Sequence, residues 1–186
     1  QQPLAAALGI DLPVNTPSGN MVVVIGGGAT QAAVLAMYGI VSAKTLRKGG
    51  MHLDEAIIAY VRRKYGLVIG RVTAEQIKLQ IGAVIPQDEE ESVEVQGQDQ
   101  VSGLPKPLTI TTGEVVEALQ EPLKEMVENT RLVLEKTPPE LVSDIIDRGI
   151  ALCGGSALLP GMEKLFTKEL GVPTYLVENP TTAIAE

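Results

Sequence analysis

The run Met21-Val22-Val23-Val24-Ile25, closed by Gly26-Gly27-Gly28, constrains this chain more than any other stretch. A short β-branched run ending in glycine reads as a fully buried strand. The glycines form a turn, and a second apolar segment, Ala32 to Met37, pairs back on the first. Gly39 makes another turn into a third strand through Ile40–Leu46. Three strands in succession with tight turns predict an antiparallel meander.

The period then changes. Leu53, Ile57, Ile58, Val61 and Tyr65 fall on one helical face, with Asp54 and Glu55 expected in the first turn and Arg62, Arg63 and Lys64 in the last. That is the charge order a helix dipole prefers. Thr73 with Gln76 three residues on is a capping-box pattern for a second helix, which ends at Gly82. Asp88–Glu91 reads as a solvated turn, and Ser92–Gln98 and Pro107–Thr111 as a strand pair. Thr112 opens a long helix that Pro122 kinks or divides. Pro138-Pro139 ends it and starts a short helix through Ile146. Strand Gly149–Cys153, helix Leu158–Leu170, strand Thr174–Val177 and a helix from Pro180 follow. Mixed strands succeeded by βαβα define an α/β domain with a mixed sheet, and residues 51–120 read as a lobe inserted into it.

Composition narrows the function classes. Of 186 residues, 45% are hydrophobic and 20% charged, enough for one core with an appended lobe and too apolar for a disordered tail. The net charge of −8 argues against coating nucleic acid or an anionic bilayer. Aromatic residues are 3% and tryptophan is absent, so few sites could stack on bases or sugars. The single cysteine, Cys153, excludes an internal disulfide framework and suits a reducing compartment. Gln1 opens the chain without a basic region and long apolar stretch, so no signal peptide is expected. His52 is the only histidine, which rules out a histidine-based metal site or catalytic triad. Cys153, at the end of a buried strand, is expected in the core. The expected location is the cytoplasm.

Two glycine-rich turns hold the candidate chemistry. Val24-Ile25-Gly26-Gly27-Gly28-Ala29-Thr30 joins two strands, and Leu152-Cys153-Gly154-Gly155-Ser156-Ala157 joins a strand to a helix. Glycine lets backbone N–H groups approach a phosphate or purine, and a helix amino terminus adds a favourable dipole. Each turn alone reads equally well as a plain tight turn or loop. Neither is a Walker loop or dinucleotide fingerprint, because the lysine and the spacing are missing.

Read in order, these turns resemble MreB-type bacterial actins. So do Gln2-Pro3-Leu4-Ala5-Ala6-Ala7, Gly49-Gly50 before a helix, Thr73-Ala74-Glu75-Gln76-Ile77-Lys78 and above all Glu135-Lys136-Thr137-Pro138-Pro139-Glu140-Leu141. The resemblance covers essentially the whole chain. It implies the actin-like ATPase fold, whose two ribonuclease-H-like halves close on ATP and magnesium. This chain would be the carboxyl-terminal half: a mixed sheet flanked by helices, plus a small inserted α+β lobe. Residues 1–50 and 121–186 would form the core subdomain and 51–120 the inserted one. Gly26, Gly27 and Gly28, with Ala29 and Thr30, would wrap the phosphates. Glu75 and Lys78 would flank the adenosine, and Gly154, Gly155, Ser156 and Ala157 would close over the nucleotide. Read without the family, Glu75 and Lys78 are a solvent-facing pair at i, i+3 on a helix. The parent function would be ATP-dependent filament formation in cell-shape control, with no direct membrane contact through this half.

The departures from the family pattern cluster. Its phosphate loop runs Asp-Ile-Gly-Gly-Gly-Thr-Thr-Glu, where this chain has Val24-Ile25-Gly26-Gly27-Gly28-Ala29-Thr30-Gln31. Gln1 stands where a glutamate usually polarises the attacking water, Met51 replaces an aspartate, and Arg71 a glutamate. Valine holds neither cation nor water, and glutamine is a weak proton acceptor. No functional catalytic residue and no metal ligand is therefore expected, and whether this chain alone holds ATP or magnesium is left open. The clustering suits an engineered or degenerate half better than scattered drift. Three functions compete: a nucleotide-binding half of a filament protein, an active ATPase or sugar kinase of the same superfamily, and a self-associating module that binds no nucleotide. The missing carboxylates argue against the second. The third expects a homodimer through Val24, Ala29, Gln31 and Met51.

Overall fold

The structure is a computed structural model that describes residues 2–9, 12–13 and 15–177. Gln1 and the helix expected from Pro180 lie outside the described residues. The chain divides into two compact units, one of Gln1–Gly50, Lys124–Leu158 and Met162–Glu186, the other of Met51–Leu123 and Leu159–Gly161.

The first unit is built on a five-stranded sheet. Helix α1 (Gln2–Gly9) precedes β1 (Asn20–Ile25), β2 (Thr30–Ala36) and β3 (Gly39–Leu46), and the later strands are β7 (Ile150–Cys153) and β8 (Thr174–Leu176). Their order is β3-β2-β1-β7-β8. The first three form the expected antiparallel meander, whereas β7 and β8 join in parallel, so the sheet is mixed. Every residue of β1 is buried, as an uninterrupted β-branched run requires. Alternation sends Val22 and Val24 to one face, where they form a core with Ala33, Leu35, Ala151, Cys153, Val177 and α1 residues Ala6 and Ala7. Helices α5 (Gln120–Glu135), α6 (Pro139–Arg148) and α7 (Met162–Leu170) are tied to the sheet and to each other by polar links. Asn129 donates to the Lys44 carbonyl at 3.2 Å, Arg148 to Asn20 Oδ1 at 3.2 Å, and Arg131 to the Glu169 carbonyl at 2.9 Å. The turn between β2 and β3 is made by Met37 and Tyr38, both in the left-handed region (φ 52° and 58°). This is the two-residue geometry that matches strand twist, here without glycine at its centre.

The second unit contains α2 (Gly50–Tyr65, from Met51 on), β4 (Leu67–Val68), α3 (Arg71–Ile81), β5 (Ser92–Asp99), β6 (Pro105–Thr111) and α4 (Thr112–Ala118), with an antiparallel sheet in the order β4-β5-β6. Several expected boundaries shift. Because α2 begins at Gly50, Asp54 and Glu55 sit beyond its first turn. Asp54 is 4% exposed and Glu55 pairs with Arg71 at 2.9 Å. The buried face of α2 is Leu53, Ile57, Tyr60 and Val61, with Ile58 and Tyr65 at its half-buried margin. Thr73 is no cap: α3 starts from Gly70, whose extended backbone fills the cap position without a side-chain bond. The expected long helix is two. Thr111, one residue before the expected start, forms a capping box with Glu114 on α4. The break falls at Leu119, so Pro122 lies in the first turn of α5, where its missing N–H costs nothing.

A candidate phosphate cradle

Strands β1 and β7 run parallel, with Val24 opposite Cys153. The Gly26–Gly28 turn and the Gly154–Ala157 turn therefore leave the carboxyl ends of neighbouring strands. That end of an open α/β sheet is where ligands dock. Gly154 has φ +98°, and a Cβ there would stand 2.2 Å from the Ile25 carbonyl oxygen. Only glycine lets the second turn lie against the backbone that leads into the first. After it, Gly155–Leu158 is a 3₁₀ turn closed by the Ala157 N–H donating to the Gly154 carbonyl at 3.1 Å. The expected helix from Leu158 begins instead at Met162, because Pro160 and left-handed Gly161 (φ +87°) interrupt it.

The first turn is pinned at both ends and open at its tip. The Gly26 N–H donates to the Ala29 carbonyl, and the Gly26 carbonyl accepts from the Gly50 N–H, both at 2.9 Å. Gly27 and Gly28 are exposed, and among the described residues their N–H groups donate to no backbone acceptor. A Cβ on Gly27 would meet no atom of the described residues within 4 Å. Successive exposed amides without a backbone acceptor are what an anion needs. Thr30 is placed differently from the rest: it is fully buried and its hydroxyl donates to the Lys48 carbonyl at 2.8 Å, so it braces the turn. Ala29 is half-buried. Sequence reasoning did not assign Gly49 a place in the site. A Cβ there would stand 2.3 Å from the Gly26 oxygen and 2.8 Å from the Ala29 nitrogen, so Gly49 holds the cradle's shape. The Gly-Gly pair before α2 was the available signal.

Glu75 is exposed on α3 in the second unit, and Lys78 on the same helix is 9% exposed, its ammonium 2.8 Å from Asp54 Oδ1. Lys78 is thus a buried ion-pair member and not half of a solvent-facing pair. Val24 is 1% exposed within the α1-side core. Its side chain offers no surface to a partner, which corrects its expected place in an interface. Gln31 is half-buried and Met51 is 43% exposed.

Cross-strand register puts Thr45, Gln31, Val24 and Cys153 in one row on the sheet face beneath the turns. All are uncharged. Burial pushes the Cys153 thiol up to about 11, so it stays neutral, and the side-chain oxygen of Gln31 is buried without a hydrogen-bond partner among the described residues. Neither Val24–Gln31 nor Cys153–Leu158 contains an acid. Magnesium is held through carboxylates together with phosphates and water. The cradle therefore fits a phosphate, and its side chains do not fit the metal.

The mixed five-stranded sheet, its flanking helices and the paired glycine turns define an actin-like fold. The MreB/Mbl protein family model matches residues 1–186, and the chain belongs to that family. It is 47% identical over 185 residues to the cell shape-determining protein MreB of Escherichia coli (strain K12), covering all of this chain and 53% of that protein. It is 44% identical to the cell shape-determining protein Mbl of Bacillus subtilis (strain 168), covering 56% of it. MreB5 of Spiroplasma citri, whose crystal structure holds AMPPNP, superposes with a TM-score of 0.96 at 34% identity over the whole of this chain and 56% of that one. The chain spans about half the length of these relatives. Among the described residues, no helix is long and apolar enough to cross a membrane.

Proposed function

We propose that this chain is the carboxyl-terminal, nucleotide-binding half of a cell-shape actin, whose whole protein forms ATP-dependent filaments in the cytoplasm. The observation that carries this reading is the adjacency of two glycine turns at the carboxyl ends of β1 and β7, one of them with open amides. The nucleotide's phosphates would rest on the N–H groups of Gly27 and Gly28, with Gly154–Ala157 alongside. The AMPPNP held by the Spiroplasma relative supports a nucleotide as the ligand. For Glu75 and Lys78, an adenosine contact rests on the family resemblance alone. Val24 supplies no group to orient water, so the isolated chain binds without hydrolysing. Calorimetric titration with ATP tests the reading. Saturable heat is expected, with phosphate release equal to a protein-free blank. No heat at millimolar ATP would remove the nucleotide role, and turnover above the blank would remove the inactivity.

A second reading, a self-associating module, is favoured by the apolar side chains that the β2–β3 hairpin leaves exposed. Met37 is 64% and Tyr38 63% exposed, with Ile40 and Val41 beside them in sequence at 43% and 42%. Neighbouring exposed side chains of this size mark an association surface more often than isolated ones do.

A further inference from the structure

The row beneath the cradle decides what a polyphosphate would need in order to bind. A carboxylate placed beside a phosphate repels it, and a divalent cation is the common remedy, held between one or two carboxylates and the phosphate oxygens. Across the four strands β3, β2, β1 and β7, this row reads Thr45, Gln31, Val24 and Cys153. It presents a hydroxyl, an amide, an isopropyl group and a buried thiol. There is no like charge to relieve and no anionic oxygen to anchor a cation. The donors beside it are the backbone amides of Gly27 and Gly28, two exposed residues whose N–H groups meet no backbone acceptor among the described residues, and amide-to-anion hydrogen bonds form with or without a metal. Gln31 matters most, because its side-chain oxygen is buried and has no hydrogen-bond partner among the described residues. Its neutral amide stands where an acid of the same length would change the electrostatics of the turn.

Resting on the nucleotide reading above, we infer that this chain binds a nucleoside polyphosphate without requiring a divalent cation, and that the neutrality of Gln31 is what removes the requirement. The chain's −8 net charge acts on a bare polyphosphate at long range, where salt screens it. The short-range amide contacts are screened far less.

Isothermal titration of the 186-residue chain with ATP, in a magnesium buffer and in an EDTA buffer of matched ionic strength, tests this. The two Kd values should agree within about threefold, less than the tenfold that corresponds to about 1.4 kcal/mol. Gln31→Glu, folded by the criterion of an unchanged circular dichroism spectrum, should bind at least about tenfold more weakly in EDTA than in magnesium. A parent chain that loses about tenfold or more in EDTA overturns the inference and leaves the nucleotide reading standing. So does a folded Gln31→Glu whose two Kd values still agree. Absence of binding in both buffers takes down the nucleotide reading and this inference together.

Discussion

Gly27 and Gly154 are chemically identical and structurally opposite. A methyl group on Gly27 would enter open space, whereas one on Gly154 would meet the Ile25 carbonyl from a left-handed backbone. The difference separates binding from folding. Gly27→Ala should leave stability within about 0.5 kcal/mol of the parent while lowering ATP affinity at least about tenfold, because the new methyl occupies the space a phosphate would use. Gly154→Ala should cost about 1–3 kcal/mol in urea unfolding, the range for a strained backbone position. Equal stability losses in the two variants would mean that the open tip of the first turn is misjudged. The glycine pattern itself was legible in sequence. Which glycine faces outward was not, since that depends on Gly154 lying against β1, and β7 is brought there by parallel pairing.

Helix α4 is fastened to the end of α2 through one carboxylate. Thr111 and Glu114 bond reciprocally, with the Glu114 N–H donating to the Thr111 hydroxyl at 3.3 Å and the Thr111 N–H donating to Glu114 Oε1 at 3.2 Å. The other oxygen of Glu114 accepts from Lys64 at 2.9 Å and from the Tyr65 hydroxyl. Burial works to raise the Glu114 carboxyl, and the bonds from Tyr65, Lys64 and the Thr111 backbone more than offset it, so its pKa is lowered from 4.5. A carboxylate with a depressed folded pKa adds stability that is present above its unfolded pKa and is lost as pH falls through the folded one. Glu114→Gln should therefore cost about 1–2 kcal/mol at pH 7, and the gap from the parent should close progressively below about pH 4.5. Urea midpoints from pH 7 to pH 3 check this, and a gap independent of pH would detach the carboxylate from the effect. The capping box is legible in principle, as Thr-x-x-Glu, yet the adjacent Thr112 offers the same kind of cap one residue later. Pro122 likewise signals a break, which falls instead at Leu119. Proline is a strong signal in a helix interior and a weak one in a first turn, and only the placement of α5 tells which applies. Thr73 misled in the same way. A glycine cap such as Gly70 leaves no side-chain signature, so the nearest threonine stood in for it.

For the chain as a whole, the consequential surfaces are the ones left without cover. With Val24 buried, the proposed self-association falls to Ala29, Gln31 and Met51, with the Met37–Tyr38 turn as a rival apolar site. Light scattering across a concentration series should show a mass rising toward twice the monomer. Met51→Asp and Tyr38→Asp, made separately, should identify the surface by which of them restores the monomer. A constant monomeric mass in the parent would dismiss self-association. The strand order β3-β2-β1-β7-β8 also sets a timetable. Strands β1 to β3 follow one another directly and can zip together as soon as they leave the ribosome. Strand β7 follows only after nearly the whole second unit has been synthesised, and contacts so distant in sequence form slowly. Until then, one flank of the fully buried strand β1 lies bare, and an unpaired strand edge recruits neighbouring chains. A chain interrupted before Ile150 would thus leave a three-stranded sheet with an unpaired β1 edge, a surface for a chaperone to cover.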